Sequence, residues 1–277
     1  MSLLPACSQE FIPAHILSQL PEGDAFDQIM ALTGDVYRDM PGRLTIRVVL
    51  GGESYFIKQH FGVGWREIFK NLTTLRLPIL SALTEWRAIA RLDAIGIPTT
   101  PAVAYGCRGT SPASLRSFIV TRDLGDIVSL ETLCADWKHN PPDARLKRRL
   151  ILEVARIARL LHGNGLNHRD FYICHFCLDK KRLANDEIYL YLIDLHRVGI
   201  RPVIASSARM KDVAALYFSA LDIGLTSRDC LRFLRAYQDG LRQIKSTPLF
   251  WQRVDKRARK LFHKFHEHWP VTPFDQG

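Results

Sequence analysis

Apolar and polar positions alternate most regularly at Leu44, Ile46, Val48 and Leu50, with Thr45, Arg47 and Val49 between them. That period of two predicts a half-buried strand. Gly51-Gly52 is a hairpin turn signal, and Tyr55-Phe56-Ile57-Lys58 reads as the returning strand, so Lys58 lies near a strand end. Strand-like character begins at Val36. Ahead of it, residues 1–33 read as a leader, with a short amphipathic helix over Ile12–Leu20 and a polar turn at Pro21-Glu22-Gly23-Asp24. Leu83, Trp86, Ile89 and Ala90 recur at helical spacing, and Gly96 is a C-terminal stop. Glu85 falls in that helix's first turn. Strands follow over Val103–Tyr105 and Ser117–Thr121, with a Gly/Ser/Pro loop at 106–114 between them.

Asp123-Leu124-Gly125-Asp126 is the best lobe boundary, and the character then turns helical. A short helix near Glu131–Trp137 precedes a strong one over Leu146–His162, with Leu150, Val154, Ile157 and Leu161 on one face. The apolar run Ile188–Ile193 is strand-like, and helices follow over Arg209–Ala220, Ser227–Leu241 and Phe250–His268. Strands with one helix, a hinge-like loop, then mostly helices around a small hairpin imply two lobes of α+β type. The expected division is a leader (1–33), a β-rich N-lobe (34–124) with a basic helical insert at about 62–80, and a mainly helical C-lobe (125–277).

A chain of 277 residues, 47% hydrophobic and 24% charged, can build a substantial core. Its formal charge of +10 favours anionic partners without choosing among them. No apolar run approaches the roughly 18–20 residues a spanning helix needs. Met1–Cys7 lacks the basic and apolar regions of a signal peptide, which points to the cytoplasm. The six cysteines then read as reduced thiols, and Cys174-His175-Phe176-Cys177 is a lone CxxC whose thiols more readily pack than bind zinc.

Residues 166–197 concentrate the chemistry: His168-Arg169-Asp170, His175, and Asp194 at the end of an apolar run. Phosphoryl transfer asks for positioning and charge neutralisation. It needs a lysine for nucleotide phosphates, a carboxylate to hold that lysine, a second to bind Mg²⁺, and a third to orient the attacking hydroxyl. Lys58, Glu85, Asp170 and Asp194 supply these groups in the order Lys, Glu, Asp, Asp.

With those residues in place, the sequence resembles the protein-kinase-like superfamily and, more narrowly, the lipopolysaccharide core heptose(I) kinase family. The narrower resemblance is carried by Tyr55-Phe56-Ile57-Lys58, Trp65-Arg66-Glu67-Ile68-Phe69-Lys70-Asn71-Leu72, Glu85-Trp86, Thr121-Arg122-Asp123-Leu124, Asn167–Phe176 and Ile193-Asp194-Leu195-His196-Arg197. It implies a bilobal protein-kinase-like fold and ATP-dependent phosphorylation of heptose I in the lipopolysaccharide inner core. Lys58 would contact the nucleotide phosphates and Glu85 would pair with it; Asp170 would be the catalytic base and Asp194 a Mg²⁺ ligand. His175 stands five residues after Asp170, where protein kinases carry a metal-binding Asn, and an imidazole can accept a metal bond. Asp212 resembles the helix aspartate that anchors the catalytic loop from behind. No GxGxxG occurs; only Pro41-Gly42-Arg43 lies between the first two strands, so Arg38, Arg43 or Thr45 is expected to serve the phosphates instead.

The implied partners are ATP and a core glycolipid at the inner membrane surface, reached by a cytoplasmic protein held peripherally there by its positive charge. The charge also admits an acidic protein partner, and nucleic acid is not expected. The basic segment 65–76 and the C-terminal helix are candidate contacts with anionic lipid or plain solvated faces. The alternatives are a protein (tyrosine) kinase, a kinase of another core sugar such as Kdo, and a nucleotide-binding pseudokinase.

Overall fold

The computed structural model describes residues 7–62, 82–110, 114–238 and 247–268. These fall into two compact units, one of residues 1–91 and 100–125, the other of residues 92–99 and 126–277. The first is β-rich and the second mainly helical, the mixed α and β composition anticipated from the sequence.

The first unit is a six-stranded antiparallel sheet of order β1-β5-β6-β4-β3-β2. Its strands are β1 (Cys7–Phe11), β2 (Asp35–Met40), β3 (Arg43–Leu50), β4 (Glu53–His60), β5 (Ala102–Gly109) and β6 (Arg116–Arg122). The predicted hairpin is present: Gly51 and Gly52 both take positive φ, the condition for a tight two-residue turn that matches strand twist. Its register sets Lys58 opposite Thr45 on β3 and Ile119 on β6. Ile46, Val48, Tyr55, Ile57, Phe118 and Val120 form the sheet's buried side.

Residues 7–31 are part of this unit, not the leader expected from the sequence. β1 pairs along β5 from Cys7↔Gly109 to Phe11↔Tyr105. Helices α1 (Ala14–Leu17) and α2 (Ala25–Ala31) insert Ile16, Phe26, Ile29 and Met30 into the core. The helix expected over Ile12–Leu20 shrinks to α1 because Pro13 fixes its start and the chain turns after Leu17. The expected loop at 106–114 is also corrected, since residues 106–109 continue β5. Gly106 is required there: a Cβ would come within 2.5 Å of the Phe118 ring and 2.8 Å of Phe26. Helix α3 (Leu83–Ala94) ends as predicted, with Gly96 at φ +71° and the Ile97 amide donating to the Leu92 carbonyl. The basic segment 65–76 lies outside the described residues.

The second unit holds β7 (Ile127–Ser129), β8 (Leu166–Asn167), β9 (Phe176–Asp179), β10 (Leu190–Leu192) and β11 (Gly199–Ile200). Strands β10, β9 and β7 make one small sheet, and β11 pairs with β8. Its helices are α4 (Leu130–Cys134), α5 (Ala144–Gly163), α6 (Lys180–Ala184), α7 (Ser206–Ser219), α8 (Ser227–Gln238) and α9 (Pro248–His268). Asp143 caps α5 by accepting the amides of Arg145 and Leu146. Helix α5 packs on α8, and α7 on α9. These helices line a half-open, apolar cavity of about 310 Å³ whose walls include Leu130, Trp137, Leu150, Val213, Phe233 and Trp251. Among the described residues, no helix is long and apolar enough to cross a membrane.

Helix α8 starts at a capping box. The Thr226 amide and hydroxyl donate to Asp229 Oδ2 at 3.0 and 2.8 Å, and the Asp229 amide donates back to Thr226 Oγ1 at 3.3 Å. Lys147 of α5 approaches the same carboxylate at 3.1 Å, which ties the two helices together. Burial pushes the Asp229 carboxyl up, but the Thr226 hydrogen bonds and Lys147 outweigh it and bring the pKa down to about 2. Because the folded pKa lies below the ordinary 3.8, the stabilisation is complete above pH 4 and is lost as pH falls through 2. A depression of this size corresponds to ~2 kcal/mol. Asp229→Asn is therefore expected to lower the unfolding free energy by ~2 kcal/mol at pH 7, with the gap to wild type shrinking below pH 4. Urea titrations across pH check this; equal stability at pH 7 would refute it.

Candidate functional site

In the first unit, Lys58 sits on β4 with strands on both sides, so its backbone is fixed by two ladders. Its Nζ lies 2.6 Å from Glu85 Oε1, and the Glu85 side chain is only 6% exposed. A buried carboxylate held by an ammonium is a strong, charge-assisted contact that fixes where the lysine tip can be. The sequence pairing of Lys58 with Glu85, 27 residues apart, is thus a direct contact. Thr45 lies directly across from Lys58. Between β2 and β3 the chain makes only a tight turn, with Gly42 at φ +73° and its carbonyl accepting from the Phe61 amide. Arg38 is exposed on β2.

In the second unit, the segment His168–Asp170 is held from behind by Asp212 of α7. The His168 amide donates to Asp212 Oδ2 at 2.6 Å and the Arg169 amide to Oδ1 at 3.0 Å. Asp212 is 1% exposed, and its Oδ2 is also 3.3 Å from His162 Nε2. His162 Nδ1 lies 2.8 Å from the Tyr237 hydroxyl. Burial pushes the Tyr237 hydroxyl well up, so it stays protonated. A carboxylate accepts, so His162 Nε2 donates to Asp212. Arg169 is held at φ +73°, an uncommon conformation for a side-chain-bearing residue, and its amide bond to Asp212 helps hold it there.

His168 and His175 stack with ring centroids 5.6 Å apart. His168 Nε2 donates to the Ile193 carbonyl at 3.0 Å, linking the loop to the segment before Asp194. Burial, reinforced by neighbouring His175, lowers the His168 pKa and keeps the ring neutral. His175 Nδ1 donates to the Asp170 carbonyl at 2.6 Å. In the neutral ring this leaves the Nε2 lone pair free, and Nε2 is 3.6 Å from Asp194 Oδ2. Asp194 takes a left-handed conformation, φ +62°, and its Oδ1 is hydrogen-bonded by His196 Nδ1. Two donors bound at right angles to a single ion at ~2.1 Å stand roughly 3 Å apart. The 3.6 Å between His175 Nε2 and Asp194 Oδ2 is therefore within a small adjustment of gripping one cation.

The Asp170 carboxylate is engaged by Arg197, whose Nη1 lies 2.8 and 3.0 Å from its two oxygens. Arg197 and His196 received no role from the sequence, although both stand in the quoted Ile193–Arg197 segment. The 3-10 turn Leu195–Arg197 is what returns Arg197 to Asp170. The CxxC thiols are free, and burial pushes Cys174 up to about 12 and Cys177 to about 11, which keeps both protonated. Among the described residues, no group of three or more His, Cys, Asp or Glu side chains is arranged to hold a metal.

Comparison with known proteins bears on this geometry. The model of the lipopolysaccharide kinase (Kdo/WaaP) family matches residues 27–237. The lipopolysaccharide core heptose(I) kinase WaaP of Pseudomonas aeruginosa is 49% identical over 246 residues, 87% of this chain and 91% of the relative. The protein of the same name from Escherichia coli K12 is 47% identical over 77% of this chain and 81% of the relative. A solved structure described as WaaP in complex with acyl carrier protein superposes with a TM-score of 0.78 at 42% identity, covering 92% of this chain and 99% of that one. The chain belongs to the lipopolysaccharide kinase (Kdo/WaaP) family.

Proposed function

We propose that this protein transfers the γ-phosphoryl group of ATP to a hydroxyl of heptose I in the lipopolysaccharide inner core. The observation that carries this reading is the 49% identity to a heptose(I) kinase over 87% of the chain. It is supported by the Lys58–Glu85 contact and the anchored Asp170.

Asp170 orients the sugar hydroxyl and takes its proton as the oxygen attacks phosphorus. The oxygen–phosphorus bond forms as the bond from phosphorus to the bridging oxygen breaks, and ADP leaves with that electron pair. Lys58, aimed by Glu85, neutralises phosphate charge. Asp194 would hold Mg²⁺, with His175 Nε2 as a second protein donor. One or two protein donors beside phosphate oxygens and water is the usual pattern for this cation. When bound, the ion supplies charge neutralisation for the phosphates. Asp212 and His175 keep the backbone around Asp170 fixed, so the position of the base is set before the hydroxyl arrives.

The acceptor is a glycolipid, so we place the protein in the cytoplasm, peripherally associated with the inner membrane. The +10 charge would draw it to an anionic surface. An acidic protein partner is also part of this reading, because the related structure holds an acyl carrier protein. Helix α9 carries Arg253, Lys256, Arg257, Arg259, Lys260 and Lys264, a charge pattern suited to such a partner. The apolar cavity of the second unit offers walls that would suit an acyl chain.

With labelled ATP and dephosphorylated core lipopolysaccharide, Asp170→Asn and Asp194→Asn are each expected to cut turnover by roughly 100-fold or more without loss of folding. Losses under tenfold in either would sink its assigned role. For the partner, an acylated carrier protein is expected to bind at least about tenfold more tightly than the unacylated form, with both weakened by added salt. Equal affinity for the two forms, measured by calorimetry, would remove the cavity from the interaction.

A further inference from the structure

Arg197 touches the proposed base, and no role has been given to it. Its Nη1 bridges both Asp170 oxygens at 2.8 and 3.0 Å. Its side chain is 49% exposed, against 19% for Asp170. A guanidinium has five N–H donors, and this pair uses only those on Nη1.

Holding Asp170 in place is not a sufficient role for it. The backbone around Asp170 is already fixed by Asp212, which accepts from His168 and Arg169, and by His175, which donates to the Asp170 carbonyl. A half-exposed ion pair adds little rigidity to that. What the arginine does supply is a permanent positive charge beside a carboxylate. A phosphoryl group brought to the hydroxyl that Asp170 activates is itself anionic, and a bare carboxylate would repel it. Arginine presents planar, paired donors that match phosphoryl oxygens, and it stays charged at any working pH.

We infer that Arg197 is a second catalytic residue: it releases one Asp170 oxygen to the acceptor hydroxyl and donates to an equatorial oxygen of the phosphoryl group in transfer. The inference rests on the reading of Asp170 as base. Arg197 exchanges no proton and forms no covalent bond; the hydroxyl proton still goes to Asp170 and the leaving electron pair to ADP. Its contribution is to the transition state, where charge spreads over the equatorial oxygens.

The test uses the full chain and two probes, ADP with Mg²⁺, and the same mixture with aluminium fluoride as a phosphoryl mimic. Arg197→Ala is expected to bind ADP within about threefold of wild type and the aluminium fluoride complex at least roughly 30-fold more weakly, with Arg197→Lys recovering part of the loss. Turnover should fall in kcat by about 100-fold while KM for ATP and for the acceptor moves less than about threefold. Asp170→Ala, in contrast, should lose turnover yet keep affinity for the aluminium fluoride complex. Retention of that affinity in Arg197→Ala overturns the inference, as does a loss expressed wholly in the acceptor KM, which would place the arginine on an anionic group of the sugar. Retained turnover in Asp170→Ala would instead strike the base assignment, and the aluminium fluoride comparison would still decide the role of Arg197.

Discussion

A single buried carboxylate organises the chemistry of the second unit. Asp212 lies on α7, 1% exposed, and accepts from the amides of His168 and Arg169 and from His162. Charge-assisted bonds of this kind contribute on the order of 1.5–3 kcal/mol each, and a buried carboxylate without them would be strongly unfavourable. The carboxylate and the loop therefore require each other. The loop gains a fixed path through the left-handed Arg169, and Asp170 emerges from it in one position. Behind Asp212, His162 and Tyr237 pass the same constraint to α5 and α8, so helix packing and loop geometry are one problem.

A second chain of contacts runs forward from the loop. His175 Nδ1 spends its proton on the Asp170 carbonyl, which leaves Nε2 facing Asp194. His168 spends its own on the Ile193 carbonyl, two segments away in sequence. Both imidazoles are thus committed by backbone oxygens to one tautomer. The conformation of Asp194, φ +62°, is of a kind that costs about 1 kcal/mol or more for a residue with a side chain. Such strain persists where the surroundings over-determine it. Here His196, His175 and the 3-10 turn surround that one carboxylate. The same turn brings Arg197 back to Asp170. The segment Ile193–Arg197 therefore meets the loop at three places, His168, His175 and Asp170.

Much of this was legible in the sequence, and the exceptions have physical reasons. The β3–β4 hairpin and α3 announce themselves through period and through glycine stops, so Lys58 and Glu85 could be placed on them, while their pairing came from the family resemblance. Asp212 was expected behind the loop, and its hydrogen bonds to the amides of His168 and Arg169 are those of an anchor. Strand β1, CSQEF, has no apolar alternation because it is an edge strand with mostly exposed side chains, so only its partner β5 defines it. The end of β5 reads as a loop because Gly106 and Gly109 suggest turns, yet Gly106 is there to admit the Phe118 ring. Arg197 was quoted as part of a motif but could not be given a contact, since its approach to Asp170 depends on a 3-10 turn that no periodicity reveals. The tautomers of His168 and His175 depend on which carbonyl each ring meets, which is a tertiary fact. The basic segment 65–76 falls outside the described residues and keeps only its sequence reading.

The family relationship points to one reaction, transfer of phosphate to heptose I. The most direct measurement is the position of the phosphate on core lipopolysaccharide phosphorylated in vitro by the purified protein, located by mass spectrometry and nuclear magnetic resonance. Phosphate confined to heptose I, and absent when Asp170→Asn replaces the wild type, is the expected result. Phosphate on Kdo, on another core sugar or on the protein alone would contradict it.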